Sequence, residues 1–287
     1  MGDKALSKVL QLLPESMHSR QALNASEVEA AYSLVYRQYL YRGFCKVNIA
    51  SMYFHSHCLL PWTRTFILDY SGIIAGTVTL IPDSPCGVPL EKALPQLAGG
   101  LRFKGKKIAE VSLLTLEGAL FSLDGPLSPR HKLAASFQLF KTLLDYARHV
   151  AEITDLVIIV HPNHEPLYRN LAFTPAGPVL SYDRAGGNPG LPMWLDLVRL
   201  EKKLPETCVF RKFFFGDSLP IETLKKSWDR RSYLLGKLLD VKNMKWDGIF
   251  NGAVEYLKRR YPAPAGQLTD THPKPMTAKE LKKLLST

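Results

Sequence analysis

The chain has 287 residues, 46% of them hydrophobic and 22% charged, a mixture that can bury one sizeable core and excludes collagenous, coiled-coil and wholly disordered readings. No apolar run reaches the roughly 18 to 20 residues of a bilayer crossing, and Met1–Pro14 sets Asp3, Lys4 and Lys8 among its leucines without a small-residue cleavage site, so a cytoplasmic protein is expected. The formal charge is +11 and uneven: residues 1–200 hold 19 Lys and Arg against 16 Asp and Glu, and residues 201–287 hold 18 against 10.

After an N-terminal segment (1–25), the first strong helix is expected over Glu27 to Tyr41, with Ser26 and Glu29 as a capping box and Val28, Tyr32, Val35 and Tyr39 at helical spacing. Arg64–Leu68 and Ile73–Ile81 flank Asp69-Tyr-Ser-Gly72 and read as a β-hairpin. A loop carrying Pro82, Pro85, Pro89 and Pro95 leads through the basic stretch 102–107 into Ile108–Leu116, a central strand with Glu110 inside an apolar run. Ser128-Pro129 opens the best helix, in which Leu133, Phe137, Phe140, Leu144 and Ala147 fall on one face, and Leu156–Val160 reads as a strand buried on both faces. Strand, helix and strand in that order imply a right-handed parallel crossover. A short helix at Pro166–Leu171 precedes strands at Val179–Tyr182 and Met193–Leu200, joined by the loop 186–190.

Beyond residue 200 the texture becomes basic and helical: one stretch from Ser218 and Glu222 to Asp240, another over Trp246–Arg260, and a last one capped by Thr277 and Glu280 after Pro262-Ala-Pro264. The expected organisation is a domain over 26–200, a basic helical appendage over 201–261 and a mobile tail over 262–287. The basic end suits an acidic protein or an anionic membrane surface, where the protein would sit peripherally; no zinc-finger spacing or aromatic-and-basic signature favours nucleic acid. Cys45, Cys58, Cys86 and Cys208 are too dispersed for C-x-x-C metal pairs and too few for a disulfide framework, so reduced thiols and no metal are expected.

The order of elements, together with Tyr36-Arg37, the hairpin with Asp69, Gly72 and Gly76, Glu110-Val-Ser112, His161-Pro-Asn163 and Leu167-Tyr168-Arg-Asn-Leu-Ala-Phe173, resembles the GCN5-related N-acyltransferase fold. Within that fold it is similar to long-chain N-acyl amino acid synthases and their acyl-homoserine-lactone synthase relatives, over about Ala30 to Leu197. The resemblance implies an α/β (α+β) domain with a mixed central sheet flanked by helices. It implies transfer of an acyl group from the phosphopantetheine thioester of an acyl carrier protein, or from acyl-CoA, to a small amine acceptor, and it implies a tyrosine at 168 near the thioester sulfur.

Physical chemistry assigns roles to the same residues. Two parallel strands that part leave unpaired backbone groups on which an amide-bearing arm can bond as a pseudo-strand; the pair here would be Ile108–Leu116 and Leu156–Val160, with Leu113, Leu114, Leu116, Ile158 and Val160 lining the slot. The helix start at Ser128, Arg130, His131, Lys132 and Leu133 would hold a phosphate. In place of the glycine-rich pyrophosphate turn of CoA enzymes of this fold stands Arg130-His-Lys-Leu-Ala-Ala135. A carrier protein's single phosphodiester and acidic surface therefore fit a rim of Arg102, Lys104, Lys106, Lys107, Arg130 and Lys132 better than CoA does.

An α-amino group with a pKa of about 7.7 to 8.0 is largely protonated at neutral pH, so a carboxylate must take its proton; Glu110 is the candidate, its structural alternative being an ion pair with Lys106 or with an arginine of the first helix. The resemblance implies that Tyr168 would protonate the thiolate; its structural alternative is a half-buried aromatic that closes the short helix onto the core. His161 and Asn163 would line the site or cap the next turn. Leu113 stands where the related synthases have arginine in Glu-x-Ser-Arg, which points to a different acceptor or to lost activity. An acetyl-CoA-dependent N-acetyltransferase and a non-catalytic acyl-group sensor are the alternatives.

Overall fold

The computed structural model describes residues 2–48, 51–60 and 62–226; the helices expected beyond Lys226 and the tail from residue 262 lie outside them. Helices α1 (Asp3–Leu10), α2 (Ala25–Tyr41), α3 (Pro95–Phe103), α4 (His131–His149), α5 (Glu165–Asn170), α6 (Leu197–Lys203), α7 (Val209–Phe215) and α8 (Ile221–Lys225) surround one mixed sheet. Its strands are β1 (Met17–Gln21), β2 (Arg64–Tyr70), β3 (Ile73–Pro82), β4 (Ile108–Leu116), β5 (Asp155–Val160), β6 (Thr174–Pro175), β7 (Leu180–Tyr182) and β8 (Asn188–Asp196). They run in the order β1-β2-β3-β4-β5-β8-β6, with β7 on β8. Every neighbouring pair is antiparallel except β4 and β5, which the crossover through α4 makes parallel.

The sheet is covered on both faces, and strand side chains alternate accordingly. Leu156, Ile158 and Val160 of β5 join the core formed with Phe137, Phe140 and Leu144 of α4. Val157 and Ile159 face Leu94, Ala98 and Leu101, in and beside α3. Helix α2 lays Val28, Ala31, Tyr32 and Val35 over Ile67 and Phe54. The β2–β3 hairpin closes through Ser71 and Gly72, whose φ values of 53° and 83° fit a two-residue turn in which both residues are left-handed, and Asp69 Oδ1 accepts the Gly72 N–H at 3.0 Å.

Several expectations change. The cap of α2 is Asn24, whose side chain accepts the Glu27 N–H at 2.9 Å, while Glu27 reaches back to the Leu23 N–H at 2.7 Å; Ser26 only donates its hydroxyl to Asn24. Asn24→Ala should therefore lower stability by about 0.5 to 2 kcal/mol and Ser26→Ala by less, read from urea unfolding midpoints. The N-terminal segment is part of the fold: β1 extends the sheet beside β2, and buried Ser19 donates to Thr142 of α4 at 2.5 Å. The proline-rich loop contains α3, and Met193–Leu200 divides into the end of β8 and α6, which Asp196 caps at 2.8 Å from the Arg199 N–H.

Candidate active site

Beta strands β4 and β5 pair only at Ile108↔Asp155, Ala109↔Leu156 and Glu110↔Val157. Past that point β5 stays with β8 as far as Val160↔Leu191, β4 stays with β3 as far as Leu116, and the sheet forks. A bulge sharpens the parting: Thr79 faces Ser112 and Thr77 faces Thr115, so Leu113 and Leu114 together oppose Val78. Leu113 takes φ 57°, a left-handed conformation uncommon for a leucine. The bulge turns its side chain away from the α4 face, where Ala109 and Val111 point, into the α2 cluster with Val28, Tyr32 and Phe54.

The fork opens into a solvent-open cleft lined by Glu110 to Leu114 on one side and Ile158 to His161 on the other. Glu110 sits where pairing ends and is 2% exposed. Neither ion-pair alternative forms: Lys106 binds Asp155 at 3.3 Å and Asp196 at 3.0 Å, and Arg37 of α2 binds Glu117 at 2.7 Å. Instead Glu110 Oε2 accepts the Leu90 N–H at 2.5 Å. Burial pushes its carboxyl up to about 8, against the opposing pull of that N–H and of Arg184 and with added repulsion from Glu91.

The loop that supplies the Leu90 N–H is held by Arg102. Its guanidinium grips Asp83 with two bonds of 2.6 Å and Glu91 with one of 2.7 Å and a second shorter one. Lys107 binds Glu152 at 2.6 Å. Arg102, Lys106 and Lys107 are thus committed to ion pairs at the paired end of β4, the full strand away from Arg130 and Lys132, and the continuous six-residue basic rim does not form.

At the start of α4, Ser128 and Pro129 make a preceding turn rather than cap and first residue: their carbonyls accept the His131 and Lys132 N–H groups at 3.0 and 3.2 Å. Two donors counted toward a phosphate are used there, Ser128 Oγ lies 2.8 Å from His131 Nδ1, and Leu133 packs against the core. Ser128, Arg130, His131, Lys132 and Leu133 lie outside the cleft lining. Leu114 lines the cleft; Leu116 packs against the core and against Gly76, where a Cβ would lie 2.5 Å from its Cδ2.

Tyr168, 6% exposed on α5, lines the cleft and stands edge-on to Phe173, ring centroids 5.9 Å apart. Burial raises its phenol far above the ordinary range, so it stays protonated. His161 lines the cleft, stacks on Phe44 at 6.0 Å and caps the following turn: its Nδ1 accepts the Asn163 N–H at 3.2 Å. Asn163 itself is exposed and outside the lining.

The remaining wall carries Tyr39, Arg42, Phe44, Tyr53, His55, Tyr182 and Arg184; the sequence pattern placed Tyr39 on the first helix and Tyr182 at a strand end, and marked none of the seven as a site residue. Tyr39 is pushed up to about 12 by burial. The one available signal was the glycine cluster at 186–190. Gly186 and Gly187 have φ of 65° and 83°, and a Cβ on Gly190 would lie 2.6 Å from Ile159, so this turn can fold tightly over the cleft only with glycine. Among the described residues no group of three or more His, Cys, Asp or Glu is placed to hold a metal, and no helix is long and apolar enough to cross a membrane.

A parallel pair that forks beside a bulged strand, in a mixed sheet covered by helices on both faces, defines an acyltransferase of the GCN5-related N-acyltransferase fold. The family described as N-acyl amino acid synthase FeeM matches residues 30–196, more than half of the chain. The chain belongs to that family and is an N-acyltransferase. The structure of FeeM, an N-acyl amino acid synthase from uncultured soil microbes, is 25% identical, with a TM-score of 0.56 over 65% of this chain and 95% of that one. The AHL synthase LasI is 15% identical, with a TM-score of 0.48 over 71% of this chain and 96% of its own, and Escherichia coli ElaA is 12% identical, with a TM-score of 0.42 over 63% and 99%. No curated protein matches the sequence.

Proposed function

We propose that the protein moves a long-chain acyl group from the phosphopantetheine thioester of an acyl carrier protein to the amine of an amino acid or similar small acceptor. The observation that carries this reading is the end of β4–β5 pairing beside buried Glu110. The extended arm bonds to the edges the fork leaves open and sets the thioester carbonyl near Glu110. The acceptor nitrogen, once neutral, attacks that carbon while its proton passes to the Glu110 carboxylate, directly or through one water. The carbon–sulfur bond then breaks, and the thiolate takes up the proton that Glu110 received from the amine, directly or through water, which restores the carboxylate.

Tyr168 donates a hydrogen bond to the departing sulfur. With its pKa raised by burial, the phenol is a weaker acid than a thiol with a pKa of about 8.5, so it supports the leaving group without giving its proton up completely. Tyr168→Phe should therefore lower kcat by less than about tenfold, well short of a general-base loss. The exposed Arg130 and Lys132 support an acidic carrier, as does the absence of glycine in Arg130-His-Lys-Leu-Ala-Ala135. A cytoplasmic location follows from that donor.

The test incubates the protein with a long-chain acyl carrier protein, long-chain acyl-CoA and acetyl-CoA, each with a pool of amines, and identifies products by mass spectrometry. Amide from the carrier-bound chain is expected. Equal or better turnover of either CoA thioester assigns the donor to CoA, and binding without any product points to a sensor.

A further inference from the structure

Attack on a thioester carbon drives negative charge onto its oxygen, and a donor placed in advance at that oxygen is commonly the largest single contribution to such catalysis. In the reaction proposed above Glu110 serves the amine and Tyr168 the sulfur, so the oxygen needs another group. Besides Tyr168, the cleft wall carries the phenols of Tyr39, Tyr53 and Tyr182. The Tyr53 hydroxyl is committed to the Arg184 carbonyl; those of Tyr39 and Tyr182 have no hydrogen-bond partner among the described residues.

Tyr182 is the one whose neighbours fix it beside Glu110. Ala109 and Val111 point to the α4 face, so Glu110 between them points the other way. Its partner on β5 is Val157, and Val157 and Ile159 lie on that same face, opposite the α4 core. Gly190 of β8 makes room for Tyr182 there: a Cβ on it would lie 2.6 Å from Ile159 Cγ2 and 3.0 Å from Tyr182 Cβ. Ile159 is two residues beyond Val157, about 6 to 7 Å along the strand, on the stretch where β4 and β5 have parted. The tyrosine therefore lines the fork just past Glu110, where the thioester carbon would lie. After burial, the charge of Glu110 is what most raises the Tyr182 phenol, whereas the first charge felt by Tyr39 is that of Arg42.

We propose that Tyr182 is a further catalytic residue of this cleft: its hydroxyl donates a hydrogen bond to the thioester carbonyl oxygen and holds the oxyanion of the tetrahedral intermediate. The assignment rests on the acyl-transfer reading. As the amine nitrogen bonds to the carbon, the π pair of the carbonyl moves onto oxygen and the amine proton passes to Glu110, so the carboxyl is neutral when Tyr182 meets the oxyanion. On collapse the pair returns to re-form the carbonyl, the carbon–sulfur bond breaks, and the thiolate takes the proton from Glu110. The Tyr182 proton is shared and not transferred, because burial and the nearby carboxylate hold it on the phenol.

Removing a hydroxyl that pairs with nothing in the fold costs no stability, so Tyr182→Phe should keep at least the wild-type urea midpoint; a lower midpoint shows a partner within the fold and overturns the assignment. The single-turnover rate is then measured with a palmitoyl-loaded acyl carrier protein and a pool of leucine, phenylalanine, glutamate, ethanolamine and putrescine. Tyr182→Phe should lower it by about 10- to 1,000-fold, with the acid limb of the pH profile unmoved. Tyr39→Phe, the same deletion elsewhere on the wall, should lower it far less. A loss below about tenfold, an equal loss in Tyr39→Phe, or a displaced acid limb, which marks a phenol acting through Glu110, overturns the proposal. Wild-type protein that acylates no amine from the carrier, from long-chain acyl-CoA or from acetyl-CoA removes the acyl-transfer reading and this assignment with it; wild-type turnover that Tyr182→Phe fully retains removes the assignment alone.

Discussion

Glu110→Gln should lower kcat/KM by about 100- to 10,000-fold, the range for loss of a positioned general base, while the protein stays folded. Glutamine matches the shape of glutamate, and its carbonyl oxygen can keep the bond from the Leu90 N–H. The pH profile separates a chemical role from a structural one. With the carboxyl pushed up to about 8, the free enzyme acquires its base only as pH rises through that value. The acceptor amine sheds its own proton in the same range. The acid limb of the wild-type profile should climb with two protons, and that of Glu110→Gln with one; equal limbs would remove Glu110 from the mechanism.

The same carboxyl gives a stability prediction of definite sign. Its folded pKa lies above the ordinary value of 4.5, so between those two pH values the folded chain holds a proton that the unfolded chain releases. Stability therefore falls as pH rises through this window. Glutamine carries no such proton. Glu110→Gln should be more stable than the wild type above pH 8, with the gap closing below pH 4.5, as read from thermal melts across that range.

Phe173→Ala should cost about 3 to 5 kcal/mol, seen as a lower urea midpoint at unchanged slope. Phe173 is 1% exposed and stands edge-on to both Phe140 of α4 and Tyr168 of α5, at 5.7 and 5.9 Å between ring centroids. Its loss opens a cavity in the main core beneath the tyrosine. Phe173→Leu keeps the volume better and should recover most of the stability. Activity of that variant reports whether the ring, beyond its bulk, positions Tyr168 for the role proposed for it.

The structure redistributes the charges expected to greet an acidic donor. Arg102, which sequence proximity grouped with Lys104, Lys106 and Lys107, braces the loop that feeds an N–H to Glu110. A guanidinium can hold two carboxylates at once, and Asp83 and Glu91 come into its reach only when the proline-rich loop folds back on α3. On the reading proposed above, an acidic carrier would meet the charges at the parted end of the sheet instead. Leu113 puts no guanidinium into the cleft, whose wall includes Arg42 and Arg184.

Periodicity and composition alone determined much of this protein. The spacing of Phe137, Phe140 and Leu144 marked α4, the unbroken run Leu156–Val160 marked a strand buried on both faces, and Glu110 within an apolar strand marked a carboxyl out of place; each is a local pattern, and local patterns survive in one dimension. Tertiary structure decided what depends on register and on meeting at a distance. The bulge at Leu113 exists only relative to Val78 across the ladder. Asn24 took the cap from Ser26 because Glu27, itself paired with Arg20, reached back to Leu23. His55 and Arg184, 129 positions apart, share a wall because β8 lies beside β5 and carries the β7 turn over the cleft. No period or spacing records a partnership that only chain reversal creates.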